Sequence, residues 1–485
     1  MINNECPIRN SSTRYPNKSA LLSGPDTISY KELENLVAYA ARSLAEHGIS
    51  SGSRIGIISE NSPQYITLFF ALLRLGAVVI PINFRFSFTE IERIVSGLGI
   101  DLVISDIFIE ELKDSGIKRV GPGLPFKEIR EKKAGSEKAS FKKGSTIILT
   151  SGSTGVPKGV LLSSANHLFN AAGSNMNIVL APDDKWLLLL PLFHVGGIAI
   201  LFRAFLAGAG VVLPGIEGRG IDEEIDEMGI THVSMVHTQL LDYVSRLENR
   251  NKIPSKTVKV VLAGGGAVPE SLIKKALDSG VPLYKTYGLT EMGSQVTTTG
   301  SIVDRKRIST SGSALNHNKL SISPDGEVLV KGGALFSGYI SEGEFIPVET
   351  DEHGWFRTGD LGYIDVRGDL FLTGRKDNMF ISGGENIFPE EIESELLQIE
   401  NISEAIVVPV DDRKYGKRPV AFVGLSGGSL SLREIVAELR KKLPGFKIPD
   451  KFYRIEKMSR GLLKRSRREL EDRARSADGL FEISD

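Results

Sequence analysis

A run of small hydroxylated residues that ends in a lysine is the first feature of the sequence that could do chemistry. The segment ILTSGSTGVPKG (residues 148–159) follows a predicted strand at residues 145–149. Backbone N–H groups, hydroxyls and one cation can bind a phosphate chain, although a flexible surface loop has a similar composition. The segment is not a Walker A loop, because Gly152 and Gly155 are too close together and Gly159 follows the lysine. The candidate phosphate ligands are Thr150, Ser151, Gly152, Ser153, Thr154, Gly155 and Lys158.

The segment TYGLTE (residues 286–291) offers three further groups. The ring of Tyr287 can stack on a base, and Thr290 adds a hydroxyl. Glu291 supplies a carboxylate, the type of ligand that a hard cation such as Mg²⁺ prefers. The alternative interpretation is a core tyrosine followed by an ordinary surface turn.

A third candidate is the acid of the segment WFRTGDLG. We expect Asp360 to lie in a tight turn, where its carboxylate can accept both hydroxyls of a ribose. Arg375, in LTGRKD, is a second candidate polar contact. An ordinary turn aspartate and a surface arginine are the alternatives.

The bulk composition limits the classes of partner. Lys plus Arg (59) and Asp plus Glu (60) nearly cancel, so no overall field favours nucleic acid or an acidic membrane. The one cysteine, Cys6, cannot form an intrachain disulfide, which fits a reducing cytoplasm. The N-terminal residues do not resemble a signal peptide. The apolar stretch at residues 65–82 contains Arg74, Gly76 and Pro81, so we expect a buried helix running into a strand and no membrane span.

The elements that must position these residues alternate between strand and helix patterns. This rhythm predicts an α/β fold, with a large N-terminal domain of βα units whose parallel sheets are covered by helices. Turn residues near residues 359–380 predict short antiparallel strands, and a small mobile C-terminal α+β domain follows. We place the domains at residues 1–376 and 377–485, because 485 residues are too many for a single core.

The order and wording of the segments resemble a known family. They follow one another as TSGSTGVPKG, AGGGAVPES, YGLTE, GEVLVKGGALFSGY, FRTGDLGY and GRKDNMFISGGENIFPEEIE, with a lysine near the C-terminus. In this order they resemble the adenylate-forming superfamily, which includes acyl-CoA synthetases, adenylation domains of peptide synthetases and luciferases. The resemblance extends from the segment ISYKELE near residue 28 to residue 470.

This resemblance implies a role for each candidate. Residues 150–158 are the expected phosphate loop, Glu291 is the expected magnesium-linked acid, and Asp360 and Arg375 are the expected ribose contacts. Asp377 matches the hinge about which the small domain of the family rotates. The implied adenine contacts are Gly264, Gly265, Gly266, Ala267 and Tyr287.

The catalytic lysine of the family usually follows a glycine, and here the sequence departs from the pattern. The matching segment is EKMSRGLLKRSRREL, and a gapless count places Lys464 at the lysine position after Leu463. Lys457 and Lys447 are rival candidates, each with a surface lysine as the alternative.

The chemistry implied by the resemblance uses ATP, Mg²⁺ and coenzyme A. A carboxylate attacks the α-phosphorus of ATP, and fixed cations such as Lys158 and Lys464 stabilise the developing charge. An external thiol then attacks the acyl-adenylate. The loop at residues 380–391, with Gly383 and Gly384, resembles the segment that lines the pantetheine tunnel of CoA ligases, although relatives that use a carrier-protein thiol have the same loop.

The identity of the acid is read from the segment PLFHVGGIAILFRAFLAGA (residues 191–209). Amino-acid-activating relatives have an aspartate where this chain has His194, so an α-amino acid is not expected, and His194 is a candidate gate or wall residue. Together with LFR at residues 201–203 and GSQVTT after YGLTE, the segment is similar to the o-succinylbenzoate-CoA ligases of menaquinone biosynthesis. That acid has a second carboxylate, for which Arg203 and Ser294 are the candidate contacts.

Two other functions remain open at this point. One is a medium-chain fatty-acyl or aryl-acid CoA ligase, which an entirely apolar pocket floor would favour. The other is a non-catalytic nucleotide-binding member of the fold. The replacement of the usual glycine by Leu463 before Lys464 favours this alternative. A homodimer is compatible with the sequence.

Overall fold

The structure is a computed structural model that describes residues 5–106, 119–120, 141–150, 158–215, 219–302, 307–425, 430–455, 467–476 and 481–483. Several predicted residues lie outside these ranges, and their roles stay predictions: Ser151, Gly152, Ser153, Thr154, Gly155, Lys457, Leu463 and Lys464. Within the described ranges, no helix is long and apolar enough to cross a membrane.

Strands and helices alternate through most of the chain up to residue 302, as the sequence predicts. In chain order the strands are β1 (Ser19–Ser23), β2 (Asp26–Ser29), β3 (Arg54–Ile58), β4 (Val78–Ile82), β5 (Leu102–Ser105), β6 (Arg119–Val120), β7 (Ser145–Thr150), β8 (Lys158–Ser163), β9 (Lys185–Leu187), β10 (Gly210–Leu213), β11 (His232–Met235), β12 (Val260–Ala263), β13 (Leu283–Leu289) and β14 (Ser294–Thr298). The helices are α1 (Pro7–Arg14), α2 (Tyr30–Glu46), α3 (Pro63–Leu75), α4 (Phe88–Gly97), α5 (Ser164–Asn177), α6 (Val195–Ala207), α7 (Ile221–Met228), α8 (His237–Asn249) and α9 (Glu270–Asp278).

Between residues 302 and 376 the described α/β alternation ends, and short strands follow one another. They are β15 (Ser313–Ala314), β16 (Asn318–Ile322), β17 (Glu327–Gly332), β18 (Gly338–Ser341), β19 (Glu344–Pro347), β20 (Phe356–Ile364) and β21 (Leu370–Arg375). Four of them form an antiparallel sheet in the order β16-β17-β20-β21. The antiparallel pairing predicted for the turn-rich region is therefore present.

The other described strands up to β21 form two large sheets. One sheet has the order β19-β18-β8-β7-β4-β3-β5-β6, and the other has the order β15-β14-β13-β12-β11-β9-β10-β1-β2. The central strands of both sheets pair in parallel, and antiparallel strands are added at the edges. The largest apolar core joins strands of both sheets with α2, α3 and α6. Helices therefore cover parallel sheets, as predicted.

Helix starts are encoded locally by serine caps. The Ser29 hydroxyl accepts a hydrogen bond from the backbone N–H of Glu32, and the Glu32 carboxylate accepts one from the N–H of Ser29. Ser163 and Asn166 make the same reciprocal pair at the start of α5. Such pairs satisfy the first unpaired N–H groups of a helix, so the helix begins at a defined residue.

The apolar stretch at residues 65–82 is a buried helix followed by a strand, α3 and β4, as the sequence predicts. Its arginine, Arg74, is only 1% exposed. The guanidinium donates to both carboxylate oxygens of Glu34 on α2, with 2.9 Å between NH1 and Oε1. The charge inside this apolar helix is therefore neutralised by a buried ion pair.

The C-terminal part of the chain has its own sheet and apolar cores. Its described elements are β22 (Phe380–Ser382), β23 (Glu385–Ile387), α10 (Pro389–Leu396), β24 (Ile402–Asp412), β25 (Gly416–Leu425), α11 (Leu432–Arg440), β26 (Lys451–Arg454), α12 (Arg467–Ser476) and β27 (Phe481–Glu482). The four strands β24 to β27 form one sheet. Apolar side chains of α10 and α11 pack with those of this sheet. The predicted boundary between Lys376 and Asp377 falls in a single 3₁₀ turn, Lys376–Asn378, and stays a prediction, as does the mobility of the small domain.

Candidate active site

A buried carboxylate, Asp360, lies where β13, β20 and β21 meet. It is 8% exposed, and two donors hold it. The Tyr287 hydroxyl donates to Oδ2 at 2.6 Å, and Arg375 NH1 donates to Oδ1 at 2.9 Å. Burial raises the pKa of Tyr287, and the Asp360 charge raises it further, so the hydroxyl stays a donor. The structure thus brings together three residues that the sequence proposed separately, with the carboxylate in one orientation.

The expectation that Asp360 lies in a tight turn is wrong, because the residue lies inside strand β20 opposite Arg375 of β21. The glycines on either side of it gave the segment the composition of a turn. Gly359 has a φ of +75°, and the pairing register shifts between Leu361 and Gly362. These glycines serve an irregular strand that bends beside the site.

Tyr287 itself is 8% exposed and belongs to an apolar cluster with Met292, Val296 and Val328. Its ring therefore has the packing of a core residue, while its hydroxyl positions the carboxylate. Stacking of this ring on a base stays a prediction.

Glu291 and Lys158 meet around a tyrosine that the sequence analysis did not single out. The Tyr339 hydroxyl donates to Glu291 Oε1 at 2.9 Å, and Lys158 Nζ lies 5.8 Å from the centre of the Tyr339 ring. Burial raises the pKa of Tyr339, and the charge of Glu291 adds to the shift. Tyr339 is the last residue of the quoted segment GGALFSGY, so its place in that segment was the available signal.

The turn that carries Glu291 is held by close backbone packing. Thr290–Met292 forms a 3₁₀ turn between β13 and β14. A Cβ at Gly288 would lie 2.0 Å from the backbone oxygen of Ser294, so only glycine allows the two strands to come this close. Ser294 has a φ of +124°, which is rare for a residue with a side chain and costs about 1–3 kcal/mol. Such strain is often kept where a side chain is needed in one place.

Of the predicted phosphate segment, the structure describes the two ends, and it describes all of the predicted adenine segment. Thr150 and Lys158 are paired residues at the ends of β7 and β8, and the Thr150 hydroxyl donates to the Lys158 carbonyl at 3.2 Å. Gly264 lies against Thr286, where a Cβ would be 2.5 Å from Thr286 Cγ2. The next three residues of that loop are exposed and follow the end of β12: Gly265, Gly266 and Ala267. Their assignment as adenine contacts stays a prediction.

Arg203 is a buried cation in the middle of α6. It is 1% exposed, and its NH2 donates to Ser294 Oγ at 3.2 Å and to Asn170 Oδ1 at 3.3 Å. Its Cζ lies 5.7 Å from the centre of the Trp186 ring, and its Nε has no hydrogen-bond partner among the described residues. The two residues proposed to hold a second carboxylate, far apart in the sequence, are therefore in direct contact.

The Arg203 guanidinium has no acid near it in the described parts of the chain, because no Asp or Glu oxygen lies within the 4.0 Å of an ion pair. Burial lowers the pKa of Arg203 to about 9, which still leaves it charged at neutral pH. Buried charges in proteins are normally paired. A ligand anion would complete this one.

His194 precedes the first residue of α6, the helix that carries Arg203. From the helical rise, nine residues along α6 separate it from Arg203 by roughly 13 Å. Its ring packs beside Phe193, with 4.7 Å between ring centres, and makes no hydrogen bond to a described residue. Loss of hydration lowers the pKa of His194. Its role as a gate stays a prediction.

The predicted hinge and CoA loop form a short turn followed by a hairpin. The Asp377 carboxylate is 78% exposed and lies 3.9 Å from Arg375 NH2. Gly383 and Gly384, with φ of +59° and +92°, connect β22 to β23. Lys447 donates to both oxygens of Glu391, at 2.8 and 2.6 Å. A lysine held in this way is a poor candidate for the catalytic role. The choice between Lys464 and Lys457 lies outside the described residues, and Lys464 stays our prediction.

Comparison with known proteins gives the family. Residues 8–340 match the AMP-binding enzyme family, and residues 391–462 match the C-terminal domain of AMP-binding enzymes. The chain belongs to the AMP-binding enzyme family. This membership confirms the predicted superfamily and the predicted class of enzyme.

Individual members of the family are similar along almost the whole chain. The 2-succinylbenzoate–CoA ligase of Bacillus anthracis is 33% identical over 470 residues, which are 94% of this chain and 95% of that protein. The o-succinylbenzoate CoA synthetase (MenE) of Bacillus subtilis in complex with the acyl-adenylate intermediate OSB-AMP has a TM-score of 0.84 at 28% identity, covering 96% of this chain and 98% of that one. The Bacillus subtilis MenE in complex with ATP and magnesium ion has a TM-score of 0.84 at 27% identity, with coverages of 96% and 99%. The predicted fold class is confirmed by these structures.

The stability of arginine variants should distinguish a binding cation from a structural one. Arg203→Met should leave the free energy of unfolding of the ligand-free protein within about 1 kcal/mol of wild type, or raise it, because the desolvation of an unpaired charge disappears. Arg74→Met is the matched control, since Arg74 is equally buried but pairs with Glu34. The control should lower the free energy of unfolding by about 1.5–3 kcal/mol, because the half-buried Glu34 carboxylate loses its charged hydrogen bonds from Arg74 and keeps the one from Arg9. Urea unfolding measures both, and equal destabilisation would mean that Arg203 is a structural residue.

Proposed function

We propose that the protein is an ATP-dependent, AMP-forming acid–CoA ligase that activates o-succinylbenzoate, as in menaquinone biosynthesis. The observation that carries the choice of acid is the buried Arg203 guanidinium, which is bonded to Ser294 and has no carboxylate partner among the described residues. The names of relatives that match more than nine-tenths of the chain support the same choice.

The acid site favours a substrate with two carboxylates. One carboxylate must reach the nucleotide to be activated, so a buried cation that contacts the acid elsewhere would serve a second anionic group. A charged hydrogen bond to such a group contributes about 1.5–3 kcal/mol. A straight-chain fatty acid would instead leave the Arg203 charge buried and unpaired, which is costly. The fatty-acyl alternative is therefore disfavoured.

The nucleotide end of the site is held in place by hydrogen bonds among the chain's own residues. Asp360 is fixed by Tyr287 and Arg375, as a ribose contact requires. Glu291 presents a carboxylate that is oriented by the Tyr339 hydroxyl, and Lys158 lies over the ring of the same tyrosine. These donors and charges fit a Mg²⁺–nucleotide, and the metal would neutralise phosphate charge when bound. Fixed groups of this kind need little reorganisation during the reaction.

The reaction has two balanced steps. In the first, a carboxylate oxygen of the acid bonds to the α-phosphorus of ATP while the bond to pyrophosphate breaks, and Lys158 and Lys464 face the developing negative charge. In the second, the thiolate of CoA bonds to the acyl carbon and AMP leaves. The hairpin that contains Gly383 and Gly384 is proposed to guide the thiol arm in this step.

Two further predictions belong to this proposal and are not tested by the structure. They are a cytoplasmic location and a homodimer. The alternative of a non-catalytic member rests on Leu463 and Lys464, which lie outside the described residues. Release of pyrophosphate with any acid would exclude it.

A panel of acids tests the substrate. Wild-type enzyme should release pyrophosphate fastest with o-succinylbenzoate and form its thioester only with CoA present. Two analogues, 3-benzoylpropionate and 2-butanoylbenzoate, each lack one carboxylate. The analogue that keeps the activated carboxylate should fall by about 10–10²-fold in kcat/KM, because a charged contact is lost. The other lacks the reacting group and should fall further. Arg203→Met should remove the preference over the better of these analogues. Faster turnover of octanoate or benzoate would contradict the choice of acid and leave the family unaffected.

Substitutions of the two site carboxylates should affect different kinetic constants. Asp360→Asn should raise KM for ATP by about tenfold, since about 1.4 kcal/mol of binding corresponds to that factor. Glu291→Gln should mainly lower kcat and raise the Mg²⁺ concentration needed for half-maximal rate. Asp365→Asn, in the turn that follows β20, is the control and should change neither constant. Wild-type kinetics in both site variants would refute the assignment.

The role of Lys464 is tested by measuring the two half-reactions separately. Lys464→Ala should slow adenylate formation by about 10²–10³-fold, as expected when one fixed cation is removed. Thioester formation from a supplied acyl-adenylate should stay nearly unchanged, because the family's small domain turns this lysine away in that step. Lys457→Ala is the control and should affect neither step. If Lys464→Ala slowed both half-reactions equally, the hypothesis that domain rotation withdraws this lysine before the second step would be wrong.

A further inference from the structure

Asn170 is a buried side chain of α5 that the chemistry above does not use. It is 2% exposed. Its Oδ1 accepts from Arg203 NH2 at 3.3 Å, and its Nδ2 donates to the backbone oxygens of Met292 and Gln295 at 2.9 and 2.8 Å. The orientation of the amide is fixed by these partners, because the reverse would place N–H groups against the guanidinium and an oxygen against two carbonyls.

The three partners of Asn170 belong to the two ends of the substrate site. Met292 is the residue after Glu291, in the turn proposed to face the nucleotide. Gln295 follows Ser294, whose hydroxyl accepts from the same Arg203 NH2. Asn170, Arg203 and the strand segment at residues 294–295 therefore form a closed set of hydrogen bonds. One amide links the residue proposed to bind the second carboxylate with the turn proposed to hold Mg²⁺.

The helix that carries Asn170 is itself firmly attached. The Ser163 cap fixes its first turn, and Asn166, one turn before Asn170, donates through Nδ2 to the carbonyls of Gly333 and Leu335 at 2.9 and 2.8 Å. Two buried asparagines on one face of α5 thus hold backbone carbonyls of neighbouring segments. Of these two asparagines, Asn170 is the one whose side chain also accepts a hydrogen bond from Arg203.

We propose that Asn170 is a positioning residue that sets selectivity for a dicarboxylic acid, by holding the Arg203 guanidinium at a fixed place relative to the turn of Glu291. The proposal rests on the proposed function, since it assumes that Arg203 binds a second carboxylate. Two charged ends held by one rigid link select for the distance between the carboxylates as well as for their charge. A displaced guanidinium would lose the second carboxylate without losing the nucleotide.

The test is Asn170→Asp, which keeps the size of the side chain and the contact to Arg203. It replaces the NH₂ group by an oxygen, so both hydrogen bonds to the backbone carbonyls are lost. The added negative charge pairs with the Arg203 guanidinium. We expect kcat/KM for o-succinylbenzoate to fall by about 10²-fold, mainly through KM. The preference over the better one-carboxylate analogue should fall by at least about tenfold. KM for ATP should change by less than about threefold, because the Glu291 turn is also held by Tyr339 and by the N–H of Phe336.

Asn166→Asp is the matched control. It makes the same chemical change one turn earlier on the same helix and also removes two bonds to backbone carbonyls. It should lower the melting temperature by a similar amount while the ratio of kcat/KM between o-succinylbenzoate and the analogue stays that of wild type. A purely structural role for Asn170 predicts the same result for both variants.

The outcomes separate this proposal from the one on which it rests. If Asn170→Asp does not fold, Asn170→Ser is measured instead, and the same loss of preference is expected without an added charge. A folded variant at position 170 that keeps the wild-type ratio refutes the positioning role and leaves the proposed function standing. A wild-type enzyme with no preference for o-succinylbenzoate over either analogue refutes the proposed function, and the role of Asn170 with it.

Discussion

A buried positive charge must find a negative partner, and this requirement governs the acid end of the molecule. Two arginines, Arg74 and Arg203, are each 1% exposed in the interior of apolar helices. Arg74 meets Glu34, and its charge is neutralised when the chain folds. Arg203 meets only neutral side chains among the described residues, namely Asn170, Ser294 and the ring of Trp186. The fold therefore holds one charge that is paired by folding and one that a ligand would pair.

The apolar helix α6 carries one of these two arginines, Arg203. A helix so apolar would ordinarily serve only as core, and most of its residues do pack in the largest apolar cluster. The polar network of α5 and β14 gives its one cation a fixed direction. The strained backbone of Ser294 is maintained by close packing against Gly288, so the hydroxyl that faces Arg203 is held by the sheet. The unfavourable backbone conformation of Ser294 lowers the stability of the fold, and in return its hydroxyl has a defined position.

At the proposed nucleotide end, the carboxylates are oriented by the hydroxyls of two tyrosines that are distant in the sequence. Tyr287 holds Asp360, and Tyr339 holds Glu291. In the small domain, ion pairs such as those of Arg467 with Glu393 and Lys447 with Glu391 join residues within the domain. These contacts allow the domain to keep its own structure if it turns about Asp377, as the proposed mechanism requires.

The sequence by itself determined the local structure and the residue types of the site. Serine caps, apolar periodicity and glycine turns act over a few residues, so the alternating strands and helices, the parallel sheets and the small α+β domain could be predicted. The motifs also identify candidate site residues without the tertiary structure, namely Asp360, Arg375, Glu291, Arg203 and Ser294. The prediction of a tight turn at Asp360 was wrong, because a bent strand that contains several glycines has the same residue composition as a turn.

Only the tertiary structure decided which of these residues meet. Tyr287 bonds to Asp360 across 73 positions, Tyr339 to Glu291 across 48, and Arg203 to Ser294 across 91. Such bonds depend on strand register and on the packing of α5 and α6, which no local pattern encodes. Asn170 therefore could not be assigned from its neighbours in the chain, and for Tyr339 the segment GEVLVKGGALFSGY marked the position but not its partner. Their roles arise because most buried polar groups are hydrogen-bonded, and the partners are set by the fold.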